Sequence, residues 1–208
     1  MSLHVARSEL ILGGQKSGKS RRAELLARSW LATPGHRATL IATAQAHDAE
    51  MRARIEHHQR ERAQRVPGMA LVEEPRDLAG ALARHGRADT LLVVDCLTLW
   101  LTHWLMPLDG GAGEGAEQQA GQPDLGEKPP PALDWQGQAA HFFAVLQQAP
   151  GPVVLVANEI GLGVIPLGRE VRAFVDALGL LNQRAAAACQ RVTLMAAGLP
   201  LTLKDSPC

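Results

Sequence analysis

Five short runs punctuate the chain: "ELIL" (9–12), "ATLIA" (38–42), "MALVE" (69–73), "TLLVVD" (90–95) and "PVVLVA" (152–157). They are apolar at nearly every position, so neither face of such a segment can look at water. Each therefore reads as a buried strand of a parallel sheet. Between and after them lie stretches of helical period at 19–31, 48–65, 76–84, 97–105, 135–148 and 169–188. The first carries an inward stripe of Ala23, Leu26, Ala27 and Trp30. The tail "VTLMAAGLPLTLK" reads as two strands about Gly198-Leu199-Pro200, an antiparallel pair at the sheet edge. This alternation predicts an α/β fold with right-handed crossovers: a mostly parallel sheet flanked by helices, closed by a C-terminal antiparallel hairpin.

Residues 107–133 break the pattern. They are rich in Gly, Gln and Pro with little apolar content, and such a segment cannot offset its own ordering entropy, so a low-complexity surface insertion is expected. The remainder predicts one domain over 1–208, within the usual single-domain size.

Composition narrows the function. Charged residues make up 20% and the formal net charge is zero, so no basic field draws in nucleic acid. Aromatics are 3%, with no tyrosine, which leaves few platforms for stacking bases. The three cysteines, Cys96, Cys189 and Cys208, are odd in number and show no C-x-x-C spacing, against a disulfide framework or a structural zinc site. The N-terminal apolar stretch is too short for a signal peptide, and the most apolar window, 91–106, is interrupted by Asp95, Thr98, Thr102 and His103. A cytoplasmic protein without stable membrane insertion is expected.

The first strand runs into Gly13-Gly14-Gln15-Lys16-Ser17-Gly18-Lys19-Ser20, a match to G-x-x-x-x-G-K-[ST] between a predicted strand and a predicted helix. Glycines allow successive backbone N–H groups to turn inward around a phosphate. The helix N-terminus adds its positive end, Lys19 reaches the outer phosphates, and the Ser20 hydroxyl can ligate Mg2+. A carboxylate at the end of a neighbouring buried strand is also required, and "LLVVD" supplies Asp95. Asp95 could equally cap the helix that follows. Loop and acid together imply a nucleoside triphosphate with Mg2+; they do not say where the phosphate goes.

The segment "TAQAHDAEMRARIEHHQRER" (43–62), which leads into the helix expected over 48–65, starts at the carboxyl edge of the sheet, where α/β folds bind ligands. With Asp48 as cap, Met51, Ile55, His58 and Arg62 share an inward face, while Glu50, Arg54, His57 and Glu61 share a solvated one. His58 could be a satisfied, partly buried histidine. Beside a phosphate cradle it could also attack phosphorus and carry a phosphoryl or nucleotidyl group covalently. Asn158-Glu159 follows the last long buried strand, so Glu159 could deprotonate an acceptor hydroxyl, or could merely fix the turn at Gly161 and Gly163. Asn182 and Gln183 fit packing or subunit contact, and His103 and Trp104 could border a substrate pocket.

Taken together, "LGGQKSGKSRRAE", "IATAQAHDAEMRARIEHHQRER", "VEEP", "LLVVDCLTLWLTH", "VVLVANEIGLGVIP" and "VRAFVDALGLLNQRAAAACQRVTLMAAGLPLTLK" resemble the bifunctional adenosylcobinamide kinase / adenosylcobinamide-phosphate guanylyltransferases of cobalamin biosynthesis, over nearly the whole chain. The resemblance implies two reactions. The γ-phosphate of ATP or GTP passes to the aminopropanol hydroxyl of adenosylcobinamide; GTP then guanylylates a histidine, and GMP moves on to adenosylcobinamide phosphate to give adenosylcobinamide-GDP. The family's R-I-x-x-H pattern puts the guanylylated histidine at His58. The same resemblance gives nucleotide contacts to Gly13 through Ser20, to Ala42, Thr43 and Ala44, to Gln59, Arg60, Glu61 and Arg62, to Glu73 and to Asp95. It further implies a RecA-like P-loop fold, a corrinoid substrate and a homotrimer. Where relatives often have Ala-Arg or Thr-Arg, this chain has Gln15-Lys16, keeping the charge. From the loop alone, a RecA-like P-loop ATPase or GTPase switch without a covalent nucleotide is the competing reading.

Overall fold

The structure, a computed structural model, describes residues 3–45, 49–106, 135–164 and 166–206. Asp48, Cys208 and the 107–133 insertion lie outside these, as do the side chains of Glu50, Met51, Arg54, Ile55 and His58. The elements run β1 (Ser8–Gly13), α1 (Lys19–Leu31), β2 (Arg37–Ala42), α2 (Ala49–Arg65), β3 (Ala70–Glu73), α3 (Leu78–His85), β4 (Thr90–Asp95), α4 (Leu97–Leu105), α5 (Trp135–Gln148), β5 (Val153–Asn158), α6 (Arg169–Ala188), β6 (Arg191–Ala196) and β7 (Leu199–Asp205). Seven strands form one sheet in the order β3-β2-β4-β5-β1-β6-β7, parallel throughout except for the β6–β7 pair. This is the expected P-loop α/β architecture with its C-terminal hairpin.

The period-2 geometry of the strands splits their apolar residues between two cores. Leu10, Leu12, Leu92, Val94, Val153 and Leu155 face α3, α4, α5 and α6, in a core centred on Trp100 and Phe142. Ile11, Leu40, Val93, Val154 and Val156 face Ala23, Leu26 and Ala27 of α1 and Val66 just beyond α2. Burial on both faces is what the unbroken apolar runs of the sequence demand.

Two expectations need correction. The 69–73 run is not a buried strand: β3 pairs only with β2 at the sheet edge, and Leu71 is 43% exposed. The helix expected over 76–84 starts later, because Asp77 stands outside it as N-cap, its carboxylate accepting from the Gly80 amide at 2.8 Å. Asp77→Ala leaves that amide without its side-chain partner, and thermal or urea unfolding should show a loss of about 1 kcal/mol.

Cys96 and Cys189 are free and buried. Burial pushes the thiol of Cys96 up to about 11 and that of Cys189 up to about 12. Both should resist alkylation in the native protein at neutral pH and react on unfolding, as peptide mapping would show. The sign for stability follows: the unfolded thiols ionise near their ordinary value while the folded ones stay protonated. Their contribution is therefore complete below pH 9 and falls as pH rises towards 11 and 12.

Candidate nucleotide site

The turn between β1 and α1 is built around positions that tolerate no side chain. A Cβ on Gly13 would meet the Met195 carbonyl oxygen and the Ser17 hydroxyl, each at 2.5 Å. Gly18, at φ 100°, occupies the left-handed region at the mouth of α1, and its would-be Cβ lies 3.3 Å from Gly198 Cα. Gly198, in the turn between β6 and β7, donates its amide to the Ser17 carbonyl at 3.0 Å, so the C-terminal hairpin braces the loop. Nothing in the sequence pattern announced that brace.

Within this cradle Lys19 is buried and donates to the Gly14 carbonyl at 2.6 Å. Burial lowers the pKa of its ammonium, against the opposing influence of Cys96 and Asp95. Among the described residues the buried Ser17 hydroxyl has no hydrogen-bond partner, a donor of the kind phosphate oxygens satisfy. Gly14, Gln15 and Lys16 form the exposed crest.

The acid side came out with a different topology from the one expected. Asp95 ends β4, which is not next to β1: β5 intervenes, pairing with both. Even so, the Ser20 hydroxyl donates to Asp95 Oδ2 at 3.1 Å. Asp95 does not cap α4, whose N-cap is Cys96. A hydroxyl and a carboxylate in direct contact beside a phosphate loop fit a Mg2+ that takes few protein oxygens and fills its shell from phosphates and water. Among the described residues there is no cluster of three or more His, Cys, Asp or Glu fit to hold a metal by itself.

Sheet register aligns the other predicted residues. Ala42 is level with both Glu73 and Asp95, and Gly13 is level with Asn158. The carboxyl edge thus gathers the end of β2, Glu73, Asp95, the phosphate loop and the start of the segment carrying Glu159. Thr43 is held from two sides: its hydroxyl donates to the Cys96 carbonyl and accepts from the Cys96 amide, both at 2.8 Å. Ala44 follows it, half-buried. His103 Nε2 donates to the Thr43 carbonyl at 2.8 Å. His103 therefore supports the β2 edge.

On α2, Gln59 donates to Glu73 at 3.4 Å, joining two predicted nucleotide contacts. Arg60 is exposed and bonds back to the Glu56 carbonyl. Glu61 pairs with Arg65 at 3.0 Å and lies 3.6 Å from His57, which is exposed as expected. Arg62 lies 3.9 Å from Glu24 of α1. The Glu159 carboxylate accepts from the Gly161 amide at 3.0 Å and from Asn182 at 3.3 Å. Asn182 is buried and also donates to the Asn158 carbonyl at 3.0 Å. Glu159 thus holds the turn at Gly161, and Asn182 ties α6 to the end of β5.

The family model for "Cobinamide kinase / cobinamide phosphate guanyltransferase" matches residues 9–203. The chain is 43% identical to the bifunctional adenosylcobalamin biosynthesis protein CobP of Pseudomonas aeruginosa over 199 residues, 96% of this chain and 98% of that one. It is 32% identical to the corresponding CobU protein of Escherichia coli over 94% of this chain and 98% of that one. A solved structure from Pyrococcus horikoshii superposes with a TM-score of 0.50 at 6% identity, covering 98% of this chain and 89% of that one, a likeness of fold alone. The phosphate loop, its acidic partner and this near full-length match lead to one conclusion: the chain belongs to the cobinamide kinase / cobinamide phosphate guanyltransferase family.

Proposed function

We propose that this protein phosphorylates adenosylcobinamide with ATP or GTP and then transfers GMP from GTP, by way of His58, to adenosylcobinamide phosphate. The observation that carries the reading is the Lys19, Ser20 and Asp95 cradle within a chain matched to the family from residue 9 to 203. One nucleotide site serves two displacements at phosphorus.

In the first, the acceptor hydroxyl attacks the γ-phosphorus and the nucleoside diphosphate leaves. The loop amides and Lys19 stabilise the charge that builds on the transferred group and the leaving oxygen. Glu159 takes the hydroxyl proton in this scheme, since it follows β5 at the edge where the acceptor must approach. Mg2+, held through Ser20 and Asp95, would neutralise phosphate charge.

In the second, a nitrogen of neutral His58 attacks the α-phosphorus of GTP, forming a P–N bond as pyrophosphate departs. A phosphate oxygen of adenosylcobinamide phosphate then attacks the same phosphorus, breaking the P–N bond and freeing the imidazole. Position 58 lies on α2, whose first residues follow the carboxyl edge that bears the cradle. Ala42, Thr43, Ala44, Gln59 through Arg62 and Glu73 contact the nucleotide beyond the phosphates. We place the protein in the cytoplasm as a homotrimer of single P-loop domains. No described helix is long and apolar enough to cross a membrane.

Incubation with adenosylcobinamide, ATP and GTP, with products resolved by mass, tests both halves. Adenosylcobinamide phosphate should appear first and adenosylcobinamide-GDP second. Nucleotide hydrolysis with neither corrinoid product would replace this reading with a P-loop switch.

A further inference from the structure

Helix α2, which carries His58, is tied to the P-loop helix through one carboxylate. Glu24 on α1 is buried. Its Oε1 lies 3.9 Å from Arg62 Nε and its Oε2 lies 3.3 Å from Arg65 Nη1, so both oxygens face arginines of α2. Arg62 is itself largely buried, with 16% of its side chain exposed, whereas Arg65 is 44% exposed and its pair is the more screened of the two. Just past α2, Val66 enters the same core as Ala23, Leu26 and Ala27 of α1.

A carboxylate at this depth costs free energy unless it is paired, and an apolar residue would have joined the two helices without that cost. What the ion pair adds is register. Helices α1 and α2 both begin at the carboxyl ends of parallel strands and return along the same face of the sheet. Glu24 lies one turn below Ser20 on α1, and Arg62 lies one turn below position 58 on α2, about 6 Å in each case. Holding Arg62 and Arg65 against Glu24 therefore limits how far position 58 can slide along the sheet relative to Ser20, the residue that touches Asp95 at the phosphate cradle.

We propose that Glu24 is a positioning residue for the guanylylation half-reaction: its pairing with Arg62 and Arg65 sets the register at which the α2 histidine meets the α-phosphorus. It touches neither reacting atoms nor the transferred group. The inference rests on the reading of His58 given above, and it separates the two activities, because phosphoryl transfer to a corrinoid hydroxyl uses the cradle but no nucleophile on α2.

The test compares wild type with Glu24→Gln and Glu24→Asp at saturating nucleotide. Two rates are followed on each protein: incorporation of label from α-labelled GTP into the chain, and phosphorylation of adenosylcobinamide by ATP. Glu24→Gln keeps the shape and loses the charge, so labelling should slow by about tenfold or more while phosphorylation stays within about twofold; Glu24→Asp should recover part of the labelling rate. Equal labelling in Glu24→Gln and wild type overturns the proposal, and so does a parallel loss of both activities, which marks a purely structural residue. Absence of label from the wild type itself would instead refute the histidine reading on which the proposal stands.

Discussion

Lys19→Met is expected to suppress both half-reactions together, each by about 10²–10³-fold, because one ammonium stabilises departing or transferring phosphate charge in both. Lys19 sits buried at the cradle floor, anchored on the Gly14 carbonyl. The methionine keeps the length of the stem and removes the charge, so the fold should survive, as circular dichroism and unfolding would verify. Its pH behaviour is a second reading of the same residue. Burial favours loss of the proton, yet only the protonated form attracts phosphate. Nucleotide affinity in the wild type should therefore decline on the alkaline side, below the ordinary lysine range, and Lys19→Met should lack that decline. Retention of either activity at wild-type level in Lys19→Met would show that the two reactions do not share the loop.

His58→Ala should divide what Lys19→Met abolishes as a unit. Covalent GMP and adenosylcobinamide-GDP should fall below detection, while adenosylcobinamide phosphate continues to form, since only guanylyl transfer requires a nucleophile from the protein. His57→Ala should leave both activities near wild type: its ring is exposed, 64% of the side chain, and faces Glu61 along the helix surface. Acidification should slow labelling, because the neutral imidazole is the attacking form, and should leave phosphorylation without that particular dependence. Label that survives His58→Ala and disappears in His57→Ala would move the nucleophile by one residue, about 100° round the helix.

The parts of this molecule that were legible beforehand are those governed by local rules. Runs apolar on both faces announced β1, β2, β4 and β5, and helical spacing gave α5 and α6 with their observed bounds. The cradle was legible because glycine, lysine and serine are each required at one step of a tight phosphate-binding turn. What escaped depends on which strands become neighbours. Sequence order cannot tell that β5 inserts between β1 and β4, nor that β3, as apolar as its fellows, ends at an edge with Leu71 exposed.

Long-range polar contacts escaped for the same reason. His103 reaches the Thr43 carbonyl across 60 residues, and Gly198 braces Ser17 from the far end of the chain. Asp77 was a different kind of miss. Its capping bond to Gly80 is local, and the D-x-x-G spacing carried the signal, but a run of helix-compatible residues on either side concealed the boundary.

An imidazole on α2 should accept a nucleotide from a triphosphate held by the β1–α1 loop. The most direct measurement is mass spectrometry of the wild-type protein after incubation with GTP and Mg2+ in the absence of corrinoid, followed by peptide mapping under neutral conditions that preserve a P–N bond. One GMP adduct is expected on the peptide containing His58, discharged when adenosylcobinamide phosphate is added. An unmodified protein that still makes adenosylcobinamide-GDP, or an adduct confined to another residue, would contradict it.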